Sequence, residues 1–336
     1  MGVLFTSLFF LQAIIFIFCI YGLYRKRKNG ICKSKKRLDG MTCLVTGGTS
    51  GIGLEIAIDF ASRGARVVVA CPFEEEGISA EKRIIQESGN DNVVFKLLNL
   101  ASLKSVRNFA ADIINTEQRL DILMNNAGIA MSNTPLSEDG LCFTMQVNYL
   151  GSFLLTLLLL PLLEKSGTPS TPSRIVNTSS ATHYLARWLD VENLGVPNDA
   201  FWGFLGPFVT YGRSKLYLVL FSRELKKRLK SSNVVINCVD PGEVGTGIFL
   251  NTRYRLLLIS FAYCWLFSKT PYEGAQTPLH AALDEKAGQA SGLYYRDCAP
   301  RESSKAASDE ELMRKVWDKS VALVKLSDVE LEKILK

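Results

Sequence analysis

The chain has 336 residues, 47% of them hydrophobic and 21% charged, a balance that supports a large buried core and excludes a disordered chain. The net charge of +6 is local: residues 25–37 hold eight of the 39 cations, and without them 31 basic residues face 33 acidic ones, which excludes a dispersed nucleic-acid surface. Eight cysteines without a C-x-x-C, and only two histidines (His183 and His280), argue against a zinc site.

Residues 3–24 are apolar apart from Thr6, Ser7, Gln12 and Gly22. That length can span a bilayer. A cleaved signal peptide would place cations before the run and small residues after it. Here the cations follow, as Arg25-Lys26-Arg27-Lys28. The run therefore reads as an uncleaved anchor, and the basic flank places the remainder in the cytosol. A monotopic hairpin or lipid-droplet insertion is the alternative. Residues 25–40 read as a basic juxtamembrane linker.

After Gly40 strands alternate with helices. Strand-like runs cover 41–46, 66–71, 93–98, 122–125, 175–178, 234–239 and 292–295, with helical patterns between them, one at 54–62 and one over 81–87. This alternation predicts an α/β domain with a parallel sheet covered on both faces. The run 149–163 contains Pro161 and is short for a span, so it reads as a helix buried against the sheet or a partner subunit. The run 256–267 is shorter still. Three readings stay open for it: a core helix, a membrane-interface segment and a cover for an apolar cleft. Residues 309–326 read as an amphipathic helix in a charged tail.

Several motifs fall at the carboxyl ends of the strands, where ligands of such sheets bind. Thr46-Gly47-Gly48-Thr49-Ser50-Gly51-Ile52-Gly53 joins a strand to a helix. Its glycines allow a tight turn and let the backbone approach a diphosphate at the helix N-terminus. Asn125-Asn126-Ala127-Gly128 ends the fourth strand, Ser179-Ser180 the fifth, and Asp240-Pro241-Gly242-Glu243-Val244-Gly245-Thr246 the sixth. Tyr211 and Lys215 share one helical face. A cation one turn away stabilises a phenolate and makes the phenol a usable acid or base.

The ordered set T-G-x-x-x-G-x-G, N-N-A-G, Asn148, Ser180, Y-x-x-x-K and P-G-x-V-x-T resembles the short-chain dehydrogenase/reductase family over roughly residues 39–330. Ser179-Ser180-Ala181-Thr182-His183 and Val316-Trp317-Asp318-Lys319-Ser320 are similar to its retinol-dehydrogenase-like branch. Lys269-Thr270-Pro271-Tyr272-Glu273-Gly274-Ala275 is similar to polyprenol-dehydrogenase-like members of that branch.

The resemblance implies a Rossmann-type, doubly wound parallel sheet in three layers behind an N-terminal transmembrane helix. The catalytic domain would span 41–300 and a helical tail 301–336. It implies a tetrad in which Tyr211 exchanges a proton with substrate oxygen and Ser180 holds that oxygen. Lys215 would depress the tyrosine pKa and bond the nicotinamide ribose, and Asn148 would hold a water. NAD or NADP would lie against Thr46, Gly47, Thr49, Ser50, Gly51, Ile52, Gly53, Cys71, Asn99, Leu100, Asn126, Ala127, Gly128, Tyr211, Lys215, Pro241, Gly242, Val244 and Thr246. Relatives pair through the helices around 148–163, so a homodimer is one implied state.

Three departures stand out. Cys71 and Pro72 replace the acidic or basic residue that sorts NAD from NADP, and Glu74-Glu75-Glu76 would repel a 2′-phosphate lying close, a slight lean to NAD. Asn99 stands where the family has aspartate. Ser180 and Tyr211 are 31 residues apart, and the extra length holds the aromatic stretch 201–208, which suits a large apolar substrate. His183 reads either as a hydrogen-bonded structural histidine or as a second base. The function expected is a membrane oxidoreductase of the endoplasmic reticulum or a lipid droplet, facing the cytosol and acting on a retinoid, polyprenoid or sterol-like alcohol or carbonyl. A non-catalytic dinucleotide-binding scaffold is the alternative.

Overall fold

The computed structural model describes residues 29–130, 134–186, 189–197, 206–229, 233–245 and 268–336. The apolar run 3–24, residues 201–205 of the aromatic stretch, Thr246 and the run 256–267 lie outside the described residues.

Chain order is β1 (Thr42–Thr46), α1 (Gly51–Ser62), β2 (Arg66–Cys71), α2 (Glu74–Ser88), β3 (Val93–Leu97), α3 (Leu103–Thr116), β4 (Ile122–Asn125), α4 (Phe143–Ser166), β5 (Ser173–Thr178), α5 (Gly206–Arg228), β6 (Val234–Asp240), α6 (Pro271–Leu283), β7 (Tyr294–Arg296), β8 (Ala299–Arg301), α7 (Glu310–Leu323) and α8 (Asp328–Ile334). The strands form one sheet in the order β3-β2-β1-β4-β5-β6-β7-β8. Strand order reverses between β1 and β4, and such a reversal opens a crevice at the carboxyl edge. β1, β4, β5 and β6 are buried at every residue, which is why they read as continuous apolar runs rather than alternating ones.

Helices cover both faces. Val45, Val67, Phe60, Ile84 and Leu279 belong to the core on one side. Leu44, Phe109, Tyr149, Phe153, Phe221 and Trp317 belong to the core on the other. Burial of each such side chain contributes about 1.5–3 kcal/mol. α4 is apolar enough by length and composition to cross a membrane, yet it is mostly buried inside the domain. Its Tyr149 hydroxyl bonds Ser320 Oγ of α7 at 2.7 Å, and Phe153 packs edge-on against Trp317.

Two differences from the sequence reading have physical causes. α2 starts at Glu74, not near 81. Its three glutamates are exposed in the first turn, where negative charge favours the positive helix end. The sheet is also not wholly parallel, because β8 pairs antiparallel with β7. The hairpin turn places Asp297 and Cys298 at φ values of 50° and 56°. Aspartate is common at the first of these positions but cysteine is unusual at the second, so the sequence carried only a weak turn signal.

Candidate active site

Thr178 ends β5 and lies beside Val239 of β6. The chain then turns at Ser180 into a short 3-10 helix, Ala181–Leu185, which Ser180 caps by accepting the Thr182 N–H at 3.3 Å. α5 crosses this turn closely. A side-chain carbon at Gly212 would meet Thr182 O at 2.9 Å, so the glycine lets the helix approach and brings Tyr211 against Ser180. The Tyr211 phenol lies close enough to Ser180 for the serine to act on it. Ser179 turns into the fold instead, its hydroxyl donating to Lys215 O at 2.9 Å.

Lys215 lies one turn beyond Tyr211 and is only 2% exposed. Its Nζ sits 5.5 Å from the Tyr211 ring centroid and donates to Thr178 O at 2.9 Å. The electrostatics differ from the sequence expectation that the cation depresses the phenol. Burial pushes Tyr211 up to about 12, the Ser180 hydrogen bond opposes the rise and the Asp240 charge adds to it. Burial also pulls Lys215 down to about 8. Desolvation is the largest cause for both groups, because both are removed from water. The phenol therefore keeps its proton at neutral pH.

Asn148 lies in a π-helical turn within α4, Gln146–Leu150, a widening often found at functional sites. Its Nδ2 donates to Ile129 O at 2.8 Å and to Ser214 Oγ at 3.1 Å, and its Oδ1 accepts the Ile129 N–H at 2.8 Å. The side chain thus clamps the loop after β4, and both amide hydrogens are used within the protein. Ser214 continues the chain of contacts by donating to Tyr211 O at 2.7 Å. A side-chain carbon at Gly128 would lie 3.1 Å from Lys215 Nζ and 3.4 Å from Asn148 Oδ1. Asn148, Ser180, Tyr211, Lys215 and Gly128 therefore converge.

The glycine loop forms the adjoining wall. Thr46 Oγ1 accepts the N–H groups of Asn126 and Ala127, each at 3.1 Å. Asn126 Nδ2 donates to Gly47 O at 3.4 Å. Gly47 has φ +64°, and a side-chain carbon at Gly53 would meet its carbonyl oxygen at 2.1 Å. Thr46, Gly47, Gly53, Asn126 and Ala127 hold one another, while Thr49, Ser50, Gly51 and Ile52 lead into α1. Ser50 caps α1 without a side-chain bond, and the first turn has no acidic residue. Unsatisfied N–H groups and the positive helix end suit an anion, so this cradle fits a dinucleotide diphosphate.

The remaining predicted residues line the same edge. Cys71 donates its thiol to Phe73 O at 3.1 Å. Asn99 Oδ1 accepts the Ala101 N–H at 2.9 Å, and Leu100 is buried beneath Gly151. Pro241 follows β6, Gly242 has φ +87° and Val244 pairs with Lys269. Thr246 lies outside the described residues.

The sequence did not reveal the part played by Asp240. Its buried Oδ1 accepts the Gly242 N–H at 2.9 Å, and its Oδ2 lies 3.6 Å from Arg296 Nε. A carboxylate at a strand end directly before Pro-Gly was the available signal. His183 is structural. Its Nε2 accepts the Ser304 N–H at 3.2 Å, so Nδ1 carries the proton and donates to Ser180 O at 2.7 Å. Burial lowers its pKa.

The family model described as short chain dehydrogenase (adh_short) matches residues 41–187. Dehydrogenase/reductase SDR family member 13 of Bos taurus is 41% identical over 306 residues, covering 90% of this chain and 78% of that protein. Retinol dehydrogenase 11 of Mus musculus is 40% identical over 302 residues, covering 89% of this chain and 90% of that protein. Among solved structures, the Pseudomonas aeruginosa RhlG/NADP active-site complex superposes with a TM-score of 0.60 at 27% identity, over 77% of this chain and 94% of that one. The chain belongs to the short-chain dehydrogenase/reductase family and is an NAD(P)-dependent oxidoreductase.

Proposed function

We propose that the protein is a membrane-anchored enzyme that interconverts a lipophilic alcohol and its carbonyl compound, of retinoid, polyprenoid or sterol-like character. The observation that carries this reading is the convergence of Tyr211 and Ser180, with the Lys215 cation behind the phenol, beside the glycine cradle. A bound nicotinamide dinucleotide supplies or accepts the hydride. Thr46, Gly47, Gly53, Asn126, Ala127 and Gly128 would hold it, with Pro241, Gly242 and Val244 at the nicotinamide end.

Tyr211 gives its proton to the carbonyl oxygen in reduction and removes the alcohol proton in oxidation. With its pKa near 12 the phenol holds its proton at neutral pH until a substrate oxygen takes it, and oxidation gains as pH rises. Ser180 orients the substrate oxygen by a hydrogen bond. Lys215 compensates the charge that develops on the phenol. Asn148 fixes the 128–129 segment on which Gly128 stands.

NAD(H) is slightly preferred over NADP(H). Cys71 and Pro72 bring no cation to the end of β2, and the exposed Glu74–Glu76 stretch is acidic. The apolar run 3–24 with its basic flank supports an endoplasmic-reticulum or lipid-droplet membrane location, with the domain in the cytosol. A homodimer through α4 is disfavoured by α7 and α8, which pack over α5 and α4. One observation favours the scaffold alternative: Asn99 Oδ1 is already engaged by Ala101. The deciding assay incubates purified full-length protein with each cofactor and a panel of lipid alcohols and aldehydes. Turnover supports the enzyme reading, whereas dinucleotide binding without turnover across the panel supports the scaffold.

A further inference from the structure

The first described residues, 29–38, are docked on the domain, although residues up to 40 read as a linker. Asn29 Nδ2 donates to Glu273 Oε1 at 3.3 Å, the Cys32 N–H donates to Gln276 Oε1 at 3.1 Å, and Ser34 Oγ donates to Leu283 O at 3.0 Å. Gly30 lies against the β7–β8 turn, where a side-chain carbon would meet Asp297 O at 2.2 Å. Arg63 then donates to Ser34 O and Lys36 O at 2.9 and 3.0 Å. Exposure alternates: Ile31, Lys33, Lys35 and Arg37 face out, while Cys32, Ser34 and Lys36 are partly covered and Leu38 is fully buried. That is the period of an extended segment.

The strap runs alongside α6 in the same direction. From Glu273 to Leu283 the helix rises about 15 Å, and five extended residues from Asn29 to Ser34 cover about 16 Å. The start of α6 is at the carboxyl edge of the sheet. Lys269 pairs with Val244 just beyond β6, and Gly274 packs on Val244 and on Ile52 of the glycine loop. The end of α6 is at the amino edge, where Asp284 O accepts Arg174 Nη1 from the start of β5 at 2.7 Å. Asn29 therefore stands at the edge that carries Ser180, Tyr211 and the glycine loop.

We propose that this carboxyl edge rests on a lipid bilayer, with the strap fixing the orientation. The proposal builds on the membrane anchoring put forward above. Four residues, Arg25 to Lys28, separate Asn29 from the end of the apolar run. Their greatest reach from residue 24 to Asn29 is about 17 Å, of which the headgroup layer takes about 5–8 Å. A leash of that length holds the edge bearing Asn29 close to the headgroups and keeps the amino edge away from them. The surface beside Asn29 suits that contact. Ile31 and Tyr272 are 62% and 59% exposed, and aromatic side chains favour the interface. An apolar substrate then reaches Tyr211 from the bilayer without crossing bulk water.

The test reconstitutes the full chain in phosphatidylcholine–phosphatidylserine vesicles containing a diazirine-bearing phospholipid and maps the photo-adducts by mass spectrometry. Adducts are expected on the peptides carrying Ile31 and Tyr272 and not on Ile114, which is 46% exposed near the end of α3. Adducts on residues 3–24 alone overturn the docked edge and leave the anchor standing. Adducts nowhere overturn the anchor as well. Adducts on Ile114 without Ile31 or Tyr272 overturn the orientation. In a second measurement, the double variant Ile31→Asp, Tyr272→Asp is expected to raise KM about tenfold for a vesicle-borne aldehyde, with kcat and the KM of a water-soluble aldehyde unchanged. An unchanged KM for the vesicle-borne substrate contradicts the proposal.

Discussion

The two ends of the carboxyl edge are built in opposite ways. At the β4–β5–β6 end, Asn148 donates to Ser214, Ser214 donates to Tyr211 O and Lys215 donates to Thr178 O, and all four side chains are almost wholly buried. At the β2–β3 end, Cys71 and Asn99 satisfy their own turns, and Pro72 and Phe73 lie exposed. One end positions a phenol and a cation by mutual constraint. The other offers a cofactor shape and backbone contacts but no discriminating charge. Reaction chemistry is therefore specified much more tightly than cofactor choice.

The largest expected effect lies at the constrained end. Lys215→Met removes the cation while nearly keeping its volume, so the rate should fall by about 10²–10⁴. Stability should hold or rise, because burial already disfavours the charged amine. Paired steady-state kinetics and thermal unfolding check both halves, and equal loss of stability and rate would reduce Lys215 to a packing residue.

Next in size is His183→Phe, which strands the Ser304 N–H and removes one of the two hydrogen bonds to Ser180 O, at a cost of about 2 kcal/mol. The wild-type histidine has its pKa lowered from 6.5, so the unfolded chain binds a proton that the folded chain refuses. Wild-type stability is accordingly lost as pH falls through 6.5 toward the lower folded value. The variant should be less stable at neutral pH and should lack that acid limb in denaturant titrations at stepped pH.

Asp240→Asn acts more gently. The carboxylate raises the Tyr211 pKa, so its loss should move the alkaline rise of alcohol oxidation to lower pH by about half a unit. An unmoved pH–rate profile would show that Asp240 serves only the Gly242 turn. At the loose end, Cys71→Asp should shift the kcat/KM ratio toward NAD(H) by about tenfold and leave the pH profile alone. A changed profile would show that the two ends are coupled.

The constrained end was legible in the sequence because each position demands a residue type. Gly47 needs a positive φ, Gly53 leaves no room for a side chain, and Tyr211 and Lys215 share a helical face. What stayed hidden depends on distance between elements. The π turn at Gln146–Leu150 has no sequence mark, and β8 follows a turn of non-glycine residues at positive φ. The strap at residues 29–38 read as a linker because its partners, Glu273, Gln276 and Leu283, lie far along the chain. The raised tyrosine pKa was missed for a related reason, since helical spacing reports the neighbouring cation but not the loss of water around both groups.

The most direct test of the account is single-turnover hydride transfer from reduced dinucleotide to a lipophilic aldehyde, comparing wild type with Tyr211→Phe after dinucleotide binding has been measured for both. The account predicts affinities within about threefold of each other and a transfer rate at least about 100-fold lower in the variant. Equal transfer rates in the two proteins would contradict the assignment of Tyr211 as the proton donor.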